Sequence, residues 1–193
     1  MDKKEVAAFF DRWAADWDAD MIRDDRKIGQ ILDAACVGEG CSVLDVACGT
    51  GVLFPDYLAR NAAHVTGIDL SAEMARIAAD KASDPRIEVI CGDVETTCFD
   101  RLYDCCVVYN AFPHFVDPKR VLGRLSALLA PGGVLCVAHG MSLEALERHH
   151  QRARGVSRTM LAPNELCALL PPGMEVLTAV ADDEKYIVAA RRA

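Results

Sequence analysis

Glycines and carboxylates follow three successive apolar segments in the first half of the sequence. Gly49 and Gly51 come after SVLDVA, Asp69 ends HVTGID twenty residues after Gly49, and Asp93 ends IEVICGD. Glycine lets a backbone approach a ligand that any Cβ would block, and a helix that begins there offers free amides. Asp69 is placed to accept hydrogen bonds from the two hydroxyls of a ribose, and Asp93 from an adenine amino group. These residues predict a nucleoside site.

A dinucleotide site uses the same elements, but it requires a GxGxxG or GxGxxA turn after the first strand. The corresponding residues here are Gly49-Thr50-Gly51-Val52-Leu53-Phe54. A phenylalanine at the third small position is expected to obstruct the close helix–strand packing of that site. Hydride transfer on a nicotinamide cofactor is kept as an alternative hypothesis.

Four of the five histidines, all except His64, lie in the second half of the chain. A histidine titrates near neutrality and can take the proton released when an O–H, N–H or S–H group reacts as a nucleophile. His139 and His114 are the candidates for this base or for a substrate anchor, and a structural role stays open for both. His149 and His150 are adjacent on a polar helix, so at most one faces inward. Their spacing matches no metal motif such as HExxH, and no metal is predicted.

The elements that must position these residues follow from hydrophobic periodicity. Residues 1–38 have apolar residues at helical spacing, and Trp13 and Trp17 share one helix face. Core packing is the favoured interpretation of this pair, and closure over a ligand is the alternative. From residue 42 onward, short apolar runs alternate with amphipathic helices, which predicts a parallel sheet covered on both faces. MEVLTAVA and KYIVAARR, joined by a short acidic turn, predict a final antiparallel hairpin.

We therefore expect an α/β fold with a doubly wound, Rossmann-like sheet of seven strands and one antiparallel edge strand. Ligands of such sheets lie at the carboxyl ends of the strands. The chain is interpreted as one domain over residues 1–193. It has a helical cap over 1–38, a core over 42–193 and a lid insert at about residues 140–165.

Composition narrows the possible partners. The chain has 193 residues, 52% of them hydrophobic and 26% charged, with a formal net charge of −8. An acidic chain without a basic run lacks the charge pattern that nucleic acids or anionic membranes require. No apolar run reaches the roughly 18 residues of a membrane span, and no signal peptide is predicted. The nine cysteines are odd in number and form no CxxC pair, so they are expected to be buried small hydrophobes of a cytoplasmic protein.

The motifs VLDVACGTG, GIDLS with Met74 following, CGDVE and LLAPGG together resemble the class I S-adenosylmethionine-dependent methyltransferases. The resemblance covers residues 40–140 by motif and implies the strand order 3-2-1-4-5-7-6. It implies S-adenosyl-L-methionine as cofactor, with S-adenosyl-L-homocysteine as product. The implied cofactor-binding residues are Asp45 and Gly49 near the methionine portion, Gly51 beside it, Asp69 on the ribose, Leu70 against the adenine, Asp93 near its amino group, and Met74, Val94 and Asn110.

A narrower resemblance lies outside these motifs. FFDRWAADWD, NAFPHF and AHGMS are similar to segments of a subgroup of small bacterial methyltransferases, which brings no settled substrate.

Methyltransferases that act on the amino groups of bases resemble one another in a (D/N/S)PP(Y/F/W) turn, whereas this chain has Asn110-Ala111-Phe112-Pro113. The predicted activity is methyl transfer to a small molecule by in-line displacement, by a monomer or homodimer. A cofactor-binding regulatory module without turnover is the second hypothesis.

Overall fold

The structure, a computed structural model, describes residues 1–19, 21–150 and 155–193, without the side chains of His149 and His150. The first helices are α1 (Lys3–Trp13), a 3-10 segment (Ala14–Asp16), α2 (Asp25–Ala34), α3 (Phe54–Ala59) and α4 (Ala72–Lys81). A second 3-10 segment (Phe112–His114), α5 (Pro118–Leu128), α6 (Leu143–His150) and α7 (Pro163–Leu169) follow. No helix within these ranges is long and apolar enough to cross a bilayer.

The strands are β1 (Ser42–Val46), β2 (His64–Asp69), β3 (Ile87–Cys91), β4 (Tyr103–Tyr109), β5 (Leu129–His139), β6 (Met174–Ala181) and β7 (Tyr186–Arg192). They form one sheet in the order β3-β2-β1-β4-β5-β7-β6, which confirms the predicted order. The first five strands pair in parallel, and β7 is antiparallel to both β5 and β6. The expectation of an antiparallel edge strand is therefore corrected, because the antiparallel strand β7 lies between β5 and β6 and the edge strand is β6. The carboxyl ends of β1, β2, β3 and β4 therefore meet at one edge of the sheet.

Alternation along the strands divides the core between the two faces of the sheet. Val43 packs in a buried cluster with residues of α2 and α3, whereas Leu44 packs in a second cluster with residues of α5. Cys105 and Cys106 likewise lie in different clusters, as their adjacency on one strand predicts. Because both faces are covered, the strand ends are left as the place where a ligand can enter.

Side-chain caps fix where the helices near this edge begin. Ser71 Oγ accepts a hydrogen bond from the Met74 amide at 3.1 Å, and Asp117 Oδ1 accepts one from the Arg120 amide at 3.0 Å. Ser71 and Asp117 are thus the N-caps of α4 and α5, and Pro118 occupies the first turn of α5. Ser71 lies two residues after Asp69, and its amide donates a hydrogen bond to Asp69 Oδ1 at 2.8 Å, so the α4 cap also holds the end of β2 in place.

Two glycines accommodate the ring of Phe54, which stands at the third small position of the dinucleotide motif. A Cβ built on Gly51 would lie 2.6 Å from the Phe54 ring, and one built on Gly67 would lie 2.8 Å from it. Phe54 is 3% exposed and belongs to the core cluster under α2 and α3. The helix after the glycine turn therefore packs on β2 through an aromatic ring rather than through a third small residue.

Two expectations about apolar side chains are corrected. Trp13 and Trp17 are exposed, at 54% and 38%, so they do not pack in the core. Of the cysteines, four are buried (Cys48, Cys105, Cys106 and Cys136), but Cys36, Cys91 and Cys98 are exposed. The helical period identified a shared face for the tryptophans, but this face borders a cavity.

Candidate active site

A cavity of about 520 Å³ opens at the carboxyl ends of the first four strands. Its floor is the turn after β1 together with the ends of β2, β3 and β4, and its roof is α1 and the segment that follows it. Lining residues include Gly49, Asp69, Leu70, Met74, Asp93, Val94, Asn110 and His114. The volume lies in the range of small-molecule sites. The cavity therefore contains most of the predicted site residues.

The turn between β1 and α3 has a strained backbone with one open side. Ala47, Gly49 and Gly51 all have positive φ, at 55°, 56° and 80°. A Cβ on Gly49 would meet no atom within 4 Å, because that side of the residue faces the cavity. Gly51 has no such space and does not line the cavity, since its α-carbon packs against Phe54. The two predicted glycines thus have different roles, one beside the ligand space and one in packing.

Asp69 ties the end of β2 to this turn. Its Oδ2 accepts a hydrogen bond from the Gly49 amide and its Oδ1 accepts one from the Ser71 amide, both at 2.8 Å. The side chain is almost fully buried, which raises the pKa of Asp69, and the two amides partly oppose this rise. Each carboxylate oxygen keeps a further lone pair, so the group can still accept hydrogen bonds from a pair of ligand hydroxyls.

Asp93 is held from both sides. Its Oδ1 accepts a hydrogen bond from the Glu95 amide at 3.0 Å, and its Oδ2 lies 2.7 Å from Lys3 Nζ, which also contacts the Glu95 carboxylate. Lys3 is in α1, so this ion pair links the helical cap to the end of β3. Leu70, Met74 and Val94 add apolar lining on the same side of the cavity, as a flat heteroaromatic ring requires.

Two more polar contacts attach the cap to the strand ends. Asp11 Oδ1 accepts hydrogen bonds from Ser71 Oγ at 2.6 Å and from the Glu73 amide at 3.1 Å. Asp18 Oδ1 accepts one from Thr50 Oγ1 at 2.6 Å, and the same residue forms an ion pair with Lys81. Asp11 and Asp18 were not among the predicted site residues, because helical spacing does not show which part of the chain a cap residue contacts.

Asp45 does not line the cavity. It is 2% exposed in the middle of β1, between Gly67 and Val107 of the neighbouring strands. Burial, followed by the negative charge of Asp69, raises the pKa of Asp45 to about 8, and an interaction with Tyr57 partly opposes this rise. The residue therefore lies behind the glycine turn rather than beside the space for a ligand.

Among the histidines whose side chains are described, His114 is the one that lines the cavity. It ends the 3-10 segment after β4, and its ring packs edge-on against Phe10 of α1, with the ring centres 4.9 Å apart. Nδ1 donates a hydrogen bond to the Val156 carbonyl at 2.8 Å and lies 3.1 Å from Ser157 Oγ. A proton held on Nδ1 leaves the lone pair of a neutral imidazole on Nε2.

His139 is the last residue of β5, as predicted, but its ring does not reach the cavity. It is 0% exposed, pairs in register with Tyr186 and packs edge-on against that ring, and it is not part of the cavity lining. The reason is that β5 remains paired through His139, on the sheet face that carries Leu135 and Val137 in the core. The geometry favours His114 over His139 as a residue that contacts an acceptor. The side chains of His149 and His150 lie outside the described residues.

Asn110 lines the cavity directly after β4. Its φ is 55°, and its Oδ1 accepts a hydrogen bond from the Gly140 amide at 3.0 Å. This contact joins the ends of β4 and β5 beside His114. Within the described ranges, no group of three histidine, cysteine or acidic side chains could hold a metal ion.

These features fit a nucleoside cofactor with a positively charged group. The open side of Gly49 gives room for close backbone contact, Asp69 supplies an acceptor for ribose hydroxyls, and Asp93 supplies one for an amino group. The acids of the lining, which include Asp69, Asp93 and Glu95, favour a cationic ligand over an anionic one.

Comparison with known proteins gives a consistent result. Residues 43–133 match a family model described as a methyltransferase domain. The ubiquinone biosynthesis O-methyltransferase of Coxiella burnetii (strain Dugway 5J108-111) is 31% identical over 144 residues, which are 70% of this chain and 61% of that protein. The malonyl-[acyl-carrier protein] O-methyltransferase of Pectobacterium atrosepticum is 34% identical over 164 residues, which are 81% of this chain and 62% of that protein. The chain thus spans about three fifths of the length of these curated relatives.

The fold has counterparts among solved structures. One is a chain in the complex between the Haloferax volcanii Trm112 methyltransferase activator and a methyltransferase. It superposes with a TM-score of 0.84 at 20% identity, and the match covers 97% of each chain. At this identity the likeness concerns the fold alone.

Proposed function

The chain belongs to the class I S-adenosylmethionine-dependent methyltransferases, and we propose that it transfers a methyl group to a hydroxyl oxygen of a small acceptor molecule. The observation that carries this proposal is the cavity itself, which has a nucleoside-compatible end at Asp69 and Asp93 and an aromatic end that contains His114. Both curated relatives described above are named as O-methyltransferases, which supports oxygen as the acceptor atom.

The residues proposed to hold the cofactor are those that line the first end of the cavity. Gly49 gives the backbone its close approach, Asp69 accepts from the ribose, and Asp93 accepts from the adenine amino group, with Leu70, Met74 and Val94 against the ring. When bound, S-adenosylmethionine supplies a methyl group whose C–S bond breaks in line with formation of the new C–O bond, and sulfur keeps the electron pair. The protein has to align the acceptor and exclude water.

His114 is proposed to take the hydroxyl proton. The Val156 carbonyl and Ser157 hydroxyl fix the ring through Nδ1, and this hydrogen bond assigns the accepting lone pair to Nε2. The same carbonyl stabilises the imidazolium that forms, because it continues to accept from Nδ1. Phe10 limits ring rotation from the side of the cap.

A panel of acceptors tests this function. The purified protein is incubated with S-adenosylmethionine and with matched phenols, thiols and amines, and S-adenosylhomocysteine is measured together with the methylated product. We expect product with phenols, in a one-to-one ratio with S-adenosylhomocysteine. Product with thiols or amines alone would contradict oxygen as the acceptor atom. Cofactor binding without product from any class would favour a regulatory module.

A further inference from the structure

Large apolar side chains are exposed at the rim of the cavity. The residues that both line the cavity and are exposed are Trp13, Asp16, Trp17, Ile22, Arg23 and Asn110. Ile22 is 96% exposed, and Trp13 and Trp17 are also accessible, so three large apolar side chains face water at one opening. Such a group of exposed apolar side chains marks a binding site more often than scattered single residues do.

The polar groups of the rim are already engaged or negative. Arg23 donates through Nε to Asp25 at 2.6 Å, through Nη1 to the Val52 carbonyl at 2.8 Å, and through Nη2 to both oxygens of Asp56 at 2.6 and 2.7 Å. Asn110 holds the Gly140 amide, and Asp16 adds a negative charge. The rim therefore offers no free cation for an anionic substrate within the described residues.

The acceptor end of the cavity is also lined by apolar and aromatic side chains. Phe10 stands edge-on to both Trp17 and His114, with ring centres 5.5 and 4.9 Å apart, and Phe115 and Met141 also line the cavity. Lys3, the other cation of the cavity, is paired with Asp93 and Glu95 at the opposite end. The aromatic side chains at this end of the cavity suit a flat ring. Apolar groups attached to such a ring would find further apolar surface at the rim.

We infer that the acceptor is an uncharged phenol with an apolar tail, whose ring lies beside His114 and whose tail leaves the cavity over Trp13, Trp17 and Ile22. This inference rests on the proposed function, because it names the substrate class of that site. It excludes acceptors with a carboxylate, which would face the acids of the lining while Arg23 is held by Asp25 and Asp56. A malonyl group, which carries a carboxylate, is thus the less suitable of the two acceptor types that the relatives' names suggest.

Equilibrium binding tests the tail. 4-Butylphenol and 4-octylphenol are titrated calorimetrically into the protein saturated with S-adenosylhomocysteine, below the concentrations at which they aggregate. Burial of about half of each added methylene predicts roughly tenfold tighter binding of the octyl compound. The W13A/I22S variant should lose most of this difference but bind 4-butylphenol nearly as before. V180S, which changes an exposed valine on the edge strand β6, is the matched control and should keep the difference.

Charge is tested in the same way. 4-Octylbenzoate should bind at least about tenfold more weakly than 4-octylphenol at pH 7.5 (one decade of affinity being about 1.4 kcal/mol). The D25N/D56N variant, which releases Arg23, should narrow this difference in affinity between the phenol and the benzoate.

Equal binding of 4-butylphenol and 4-octylphenol, or tighter binding of the benzoate than of 4-octylphenol to the wild type, would overturn the inference. If the octyl compound binds tightly but gives no methyl ether, the proposed function fails while the tail site stands. If only small polar phenols bind and are methylated, the proposed function stands while the tail site fails.

Discussion

The carboxylate of Asp69 accepts a hydrogen bond from the amide of Gly49, with 2.8 Å between Oδ2 and the nitrogen. Asp69 ends β2 and Gly49 lies in the turn after the adjacent parallel strand β1, so this bond fixes the glycine turn relative to the end of β2. The same carboxylate also accepts a hydrogen bond from the amide of Ser71, the N-cap of α4. One side chain thus positions the backbone on both sides of the proposed ribose site.

Asp69→Ala is expected to lower the affinity for S-adenosylhomocysteine at least about tenfold. The substitution removes charge-assisted hydrogen bonds to ligand hydroxyls, each worth about 1.5–3 kcal/mol, and also releases the Gly49 turn. Calorimetric titration of the folded variant measures the affinity. Asp80→Ala, which changes an exposed acid on α4, should bind as the wild type does. An unchanged affinity in folded Asp69→Ala would rule out the ribose assignment.

The two turn glycines should respond in opposite ways to substitution. Gly49→Val is expected to abolish cofactor binding with a modest loss of stability, because its side chain enters the cavity. Gly51→Ala should instead destabilise the fold by about 1–3 kcal/mol, because its Cβ collides with the Phe54 ring. Urea denaturation and ligand titration separate these effects. The double variant Gly51→Ala/Phe54→Leu replaces the ring by a smaller side chain, and it should be more stable than Gly51→Ala alone. A double variant that is no more stable would contradict the steric explanation.

The sequence was sufficient for the architecture but not for every side chain. Strand positions were predictable, because alternating apolar runs and glycine turns are local signals, whereas the strand order was implied by the family resemblance. The contacts of Lys3, Asp11 and Asp18 with the strand ends depend on where the cap packs, and helical periodicity carries no such information. His139 illustrates the same limit, since it is the last residue of β5 but its ring packs in the core against Tyr186 rather than in the cavity.

The stability of the protein should fall as the pH rises from about 5 to 8.5. The pKa of Asp45 is raised to about 8 in the folded state by burial and by Asp69, so the folded state binds a proton that the unfolded state has already released above pH 4. This contribution is complete below pH 4 and is lost as the pH rises through about 8. Each pKa unit is worth about 1.4 kcal/mol, so the loss is a few kcal/mol.

Urea denaturation of Asp45→Asn measures this contribution. The variant should lose clearly less stability than the wild type between pH 5 and pH 8.5. Asp182→Asn is the control, because the pKa of Asp182 is lowered to about 2 by Lys185 and its titration lies below this range. Parallel pH profiles for the wild type and Asp45→Asn would show that Asp45 is ionised throughout.

His114→Ala is expected to lower turnover by roughly 10²–10⁴-fold, the usual range for loss of a general base. Affinity for S-adenosylhomocysteine should change little, because the ring lies at the acceptor end of the cavity. His139→Ala, by contrast, should reduce stability, since it removes a fully buried ring that packs on Tyr186. Full turnover by folded His114→Ala would remove it from the mechanism.

Transfer of a labelled methyl group tests the central claim most directly. The wild-type protein, in excess over methyl-labelled S-adenosylmethionine, is mixed with 4-octylphenol, and the label is followed with time in cofactor and product. The account predicts that the label moves to the phenol oxygen in a single turnover, with one S-adenosylhomocysteine formed for each methyl ether. His114→Ala should bind the cofactor equally well but transfer the label much more slowly. Label that stays on tightly bound cofactor, with phenol also bound, would contradict the claim that this cavity catalyses methyl transfer to oxygen.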